Sequence, residues 1–215
     1  MASLDIFCSV SRGVALIRVT QQPEPTNFNR DVRVPGNAFI ARLRRAPNKT
    51  EWTQNNFWKK CLPDLQTAYR HICSYTACWL SDSASVDHFV PKGNDRTQAY
   101  EWSNYRLASQ KVNSKKGNQS VLDPFLVDDT WFVLDFGSSM VRPSRQLPQQ
   151  IQAQIQNTIT VLGLNDDTWI RVRFTALRQY ANGQVTFAYL QESYPFIARE
   201  LERQGRRQSI LGTLP

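Results

Sequence analysis

Apolar residues recur at helical steps through several stretches of this chain. Phe57, Cys61, Leu65, Ala68 and Ile72 lie three or four apart, which predicts an amphipathic helix over Trp52 to Ile72, with Pro63 marking a boundary or a second start. Leu147, Ile151, Ile155, Ile159 and Leu162 form one stripe that ends at Gly163. A further helix runs through Trp169, Ile170, Phe174, Leu177 and Tyr180, with Asn165 as its cap and Asn182-Gly183 as its stop. A last one begins near Tyr194-Pro195 and passes Ile197 and Leu201 to Gly205. Strand patterns are shorter. Val14 to Thr20 reads as one strand, and Thr130 to Phe136 as another, with a Gly137-Ser138-Ser139 turn and a return through Met140 to Arg142. The Pro23 and Pro25 break and Asn27 to Asp31 read as loop, and Arg42, Arg44 and Arg45 form a small basic cluster. No internal repeat interrupts this pattern.

Residues 86–117, VDHFVPKGNDRTQAYEWSNYRLASQKVNSKKG, carry the candidate chemistry. An adjacent acid and imidazole, Asp87 and His88, are followed by Asn104 and Asn113 and by Lys111, Lys115 and Lys116. A phosphodiester repels nucleophiles and leaves as a poor alkoxide, and a hard cation relieves both difficulties. Asp87 and the Asn113 amide oxygen are sufficient protein ligands for magnesium or manganese, which keep several waters. His88 is then the natural general base, since an imidazole titrates near neutrality. Neighbouring strand residues point to opposite faces, so Asp87 and His88 converge only where the strand ends or bends. Pro91, Gly93, Asn94 and Asp95 supply that ending.

The same segment resembles the HNH, or ββα-metal, endonuclease superfamily. Val86-Asp87-His88-Phe89-Val90-Pro91 matches its first strand, Trp102-Ser103-Asn104-Tyr105-Arg106-Leu107 its asparagine and second strand, and residues 110–117 its helix. The resemblance implies His88 as base, Asp87 and Asn113 as metal ligands, and Asn104 as the brace of the loop that holds His88. Where the family name expects a final histidine this chain has asparagine, which favours magnesium or manganese over zinc. Lys92, Arg96, Arg106, Lys111, Lys115 and Lys116 are the candidates for phosphate contacts. Over roughly residues 50–140 the chain is also similar to bacterial HNH proteins found beside phage-defence ATPases, which suggests a defence role with a regulatory ATPase-type partner.

Composition fits such a partner without requiring it. Lys and Arg total 26 against 18 acids, a net charge of +8, which suits a polyanion. DNA is favoured over RNA, and a homodimer would serve a double-strand cut. Cys8, Cys61, Cys73 and Cys78 form no dense framework, and the first residues lack an apolar run, so a reducing, cytoplasmic setting is expected. His71, Cys73, Cys78 and His88 do not have knuckle spacing, so no structural zinc is expected. The expected class is α+β, a ββα-metal centre over residues 51–125 between an N-terminal segment, 1–50, and a helical C-terminal elaboration, 126–215. The alternatives are a catalytically silent nucleic-acid-binding or assembly module and an RNA-directed nuclease of the same fold.

Overall fold

The computed structural model describes residues 18–210. The reading of Val14 to Thr20 as a strand falls largely outside them, and the part inside, residues 18–20, forms no strand. Its Val19 amide donates to the Pro124 carbonyl at 2.8 Å.

Residues 29–41 are helical where loop residues suggested otherwise. A π-helical turn, Asn29–Arg33, runs directly into α1, Val34–Ala41. Phe28 and Val32 lie four apart and are both buried, Phe28 with its ring edge on Trp102 and Tyr105 at 5.6 and 5.7 Å. That burial outweighs the turn-forming character of Asn27 and Asn29. Gly36 lets α1 approach Tyr100, for a Cβ there would lie 2.1 Å from the Tyr100 Cγ.

The helix expected over Trp52 to Ile72 is three shorter pieces. α2, Lys49–Gln54, starts on a capping box in which Asn48 and Glu51 exchange side-chain and backbone bonds. A 3-10 turn, Phe57–Cys61, follows, then α3, Leu62–Ala68, with Pro63 in its first turn. Pro63 has no N–H to continue a helix but fits a new start. Arg70 and His71 then take left-handed backbone, which ends the helical run short of Ile72.

β1, Ala84–His88, pairs antiparallel with β2, Tyr105–Ser109, so that Asp87 opposes Arg106 and His88 opposes Tyr105. Ser109 caps α4, Gln110–Lys116, which stops at Gly117 with φ of 50°. A second small hairpin joins β3, Phe132–Leu134, to β4, Val141–Pro143, close to the expected turn. α5, Gln149–Leu162, ends at the left-handed Gly163, and α6, Asp167–Ala181, follows. Asn165 does not cap α6; its side chain instead accepts from the Val141 amide and donates to the Val141 carbonyl, each at 2.8 Å. α7, Phe187–Ser193, has no counterpart in the hydrophobic pattern, being seven residues started by a Thr186 cap. α8 is Pro195–Arg203.

The described residues are thus α+β, with two small antiparallel hairpins among helices. Among the described residues the buried apolar side chains, Ile72 apart, form one cluster from Val19 to Ile210. α3 and the 3-10 turn before it pack on β1, and α4 packs on both strands and on α5. The end of β1 therefore lies between helices on both faces. Among the described residues no helix is long and apolar enough to cross a membrane.

Candidate functional site

Strand alternation sends Asp87 and His88 into different surroundings. Ser85 and Asp87 face α4, where Asn113 and Lys116 stand one turn apart and reach them. Asp87 is 2% exposed. Its Oδ1 accepts from Lys116 Nζ at 3.1 Å, and its Oδ2 accepts from the Tyr75 hydroxyl at 2.5 Å. Burial, then the Asp87 charge, pushes the Tyr75 pKa well above its ordinary value, so the phenol stays a donor. Lys116 is 0% exposed and also donates to the His88 carbonyl at 2.7 Å. Asp87 and Lys116 make a buried ion pair with hydrogen bonds on both partners, the condition under which such a pair survives desolvation.

His88 faces the other way. Its ring meets Trp58 and Tyr105 edge-on at 4.9 and 5.2 Å. Nε2 lies 2.9 Å from the Ala99 carbonyl oxygen. A carbonyl only accepts, so Nε2 carries the hydrogen and Nδ1 holds the free lone pair. Burial, then the nearby Lys92 charge, lowers the His88 pKa to about 3. The imidazole is neutral.

Asn104 ties the connection between the strands. Its Oδ1 accepts from the Val90 amide at 2.7 Å, and its Nδ2 donates to the Val90 and Gln98 carbonyls, each at 3.0 Å. Gln98 precedes the Ala99 carbonyl that holds His88. Asn104 thus fixes both ends of the His88 loop. Asn113 donates through Nδ2 to Ser85 Oγ at 3.1 Å and to the Val86 carbonyl at 3.2 Å, which leaves its Oδ1 as the acceptor.

The six candidate phosphate contacts separate sharply. Arg106 is buried, bonds both Asp123 oxygens at 2.9 and 2.7 Å, and stacks on Phe125 at 3.5 Å. Lys116 is buried on Asp87, as above. Both face inward rather than toward a phosphate backbone, because their carboxylates lie 17 and 29 positions away, pairings that local charge does not reveal. Arg96 donates to the Arg45 carbonyl at 2.6 Å, Lys111 to Thr168 Oγ1 at 2.5 Å, and Lys115 pairs with Asp166 at 2.6 Å. The last two residues are exposed. Lys92 is half-buried above Trp58 and Trp52, at 5.2 and 5.9 Å from their ring centroids, on the His88 side. Burial lowers its pKa, and Asp87 opposes that effect.

Tyr75, Trp58 and the Ala99 carbonyl also build the site, and no catalytic or ligand pattern in the sequence marks them. Tyr75 had one available signal, a hydroxyl in the short segment leading into β1; a backbone carbonyl has none.

Among the described residues, no group of three or more His, Cys, Asp or Glu is placed to hold a metal. Cys61, Cys73 and Cys78 are buried free thiols, and burial pushes Cys61 and Cys78 up to about 12. The oxygens of Asp87 and Asn113 suit a hard cation in kind. A cation is already there, since the Lys116 ammonium holds Asp87 Oδ1 and the His88 carbonyl.

Comparison of the sequence with protein-family models and with curated proteins finds no match.

Proposed function

We propose that β1, β2 and α4 form the working part of an endonuclease of the HNH, or ββα-metal, type that hydrolyses phosphodiester bonds, with DNA the favoured substrate. One arrangement supports the reading. Asp87 and His88 close β1, Asn113 reaches back to that strand from α4, and Asn104 ties the loop whose Ala99 carbonyl orients the imidazole. A neutral ring with its Nε2 hydrogen committed to Ala99 offers Nδ1 to take a proton from water. At a pKa of about 3 that base is weak. A phosphate arriving beside it favours the charged imidazolium and raises that pKa. Lys92, over its two indoles on the same side, is the ammonium best placed to meet that phosphate. A magnesium or manganese ion would be held by Asp87 and Asn113, and when bound would neutralise the phosphoryl oxygens.

One such site cuts one strand, so a double-strand break takes two copies or two encounters. A place in phage defence beside an ATPase-type partner belongs to the same proposal and rests on resemblance alone.

The test is nicking of supercoiled plasmid with magnesium or manganese and with chelator, beside single-stranded DNA and structured RNA. His88→Ala is expected to lower cleavage by at least about 10²-fold while leaving the circular dichroism spectrum unchanged. Wild-type protein that binds DNA but leaves every substrate intact with either metal would favour the second reading, a silent binding or assembly module. The observation on that side is the internal pairing of Asp87 with Lys116 and Tyr75.

A further inference from the structure

Lys116 is the cation that the structure places on Asp87. Its ammonium is fully enclosed, donates to Asp87 Oδ1 and to the His88 carbonyl, and lies 5.9 Å from the Phe89 ring centroid. Asn113, one turn earlier on α4, touches the same strand at Ser85 and Val86. The other Asp87 oxygen is taken by the Tyr75 hydroxyl. Each carboxylate oxygen already accepts one hydrogen bond in a site closed to solvent, and an ammonium and a divalent ion repel each other on one carboxylate.

We propose that Lys116 is an internal counter-ion seated in the cation site of Asp87, and that a divalent ion binds this protein by displacing it. The proposal rests on the nuclease reading only in taking Asp87 and Asn113 as the ligands. It has a consequence for affinity: the chain holds its own competitor at high local concentration, so the metal binds more weakly than the donor oxygens alone would allow. It also gives Lys116 a role that a surface phosphate contact does not have.

The experiment is titration of the full chain with manganese, followed by the electron paramagnetic resonance of the free ion. Wild type, Lys116→Met, Lys116→Gln and the double variant Asp87→Asn/Lys116→Gln are compared. Gln keeps an uncharged donor in the enclosed site, and Met keeps most of the apolar stem, so the two remove the charge in different ways. Both Lys116 variants are expected to bind manganese at least tenfold more tightly than wild type, and the double variant to lose that gain. In wild type, the lysine side-chain resonance of Lys116 is expected to shift or vanish as magnesium is added, and this measurement decides the matter alone if neither single variant folds. Equal affinities in wild type and the Lys116 variants overturn the proposal. So does a gain that survives in the double variant, or a Lys116 resonance unmoved while the Asn113 amide shifts. Plasmid nicking on the same samples separates the two ideas. Tighter manganese binding without cleavage keeps the displacement and removes the nuclease, and metal-dependent cleavage with unchanged affinity does the reverse.

Discussion

Two buried charge arrangements set how single residues respond to change. Burial, with Lys92 second, lowers the His88 pKa from 6.5 to about 3. The unfolded chain takes a proton on this ring below about 6.5, while the folded chain resists until about 3, so the stability it gives is complete above the first value and is lost as pH falls toward the second. The slope is at most about 1.4 kcal/mol per pH unit. Urea unfolding between pH 4 and pH 8 is expected to show it in wild type, and His88→Gln to flatten it; parallel curves for the two would remove His88 from that role. Arg106 responds through its partner. Asp123→Asn leaves a guanidinium of 3% exposure without its carboxylate, and the expected loss is about 3–5 kcal/mol in urea unfolding. A loss below about 1 kcal/mol, the size of an exposed pair, would contradict the buried geometry.

At the scale of elements, the hairpin and α4 depend on what holds their connection. Tyr100 is fully buried, follows the Ala99 carbonyl on which His88 hangs, and lies against Gly36 of α1. Gly36→Ala would drive a Cβ to within 2.1 Å of that ring. The expected cost is about 1–3 kcal/mol for overpacking, with faster amide exchange in residues 89–99 than in α5 or α6. Unchanged exchange there would mean that α1 does not support the site. The helices were uneven in legibility. α5 was readable because one continuous stripe ends in a left-handed glycine. The run over Trp52 to Ile72 was not, because a five-residue 3-10 turn keeps the same residues on roughly the same side while breaking the helix. Asn165 has the chemistry of a cap, but two bonds to Val141 in β4 claim it.

For the whole molecule, a net charge of +8 favours polyanions, but the folded structure decides which cations take part. Each phosphate neutralised contributes about −0.9 to the slope of log affinity against log salt on duplex DNA. If the protein binds duplex DNA as proposed, Lys92→Gln in chelator is expected to reduce that slope by about one unit, whereas Lys116→Gln leaves it unchanged because its ammonium is enclosed. Fluorescence anisotropy across a salt series measures both, and an equal effect from the two substitutions would place Lys116 at the surface. By itself the order of residues determined the mixed class, the long C-terminal helices, and the close spacing of Asp87, His88, Asn104 and Asn113, since periodicity and turn chemistry act over a few neighbouring positions. Only the tertiary structure decided that Lys116 and Tyr75 close on Asp87, that Arg106 pairs with Asp123, and that Ala99 orients His88. Those contacts join residues far apart in sequence, and their strength comes from exclusion of water, which no local stretch of chain can bring about.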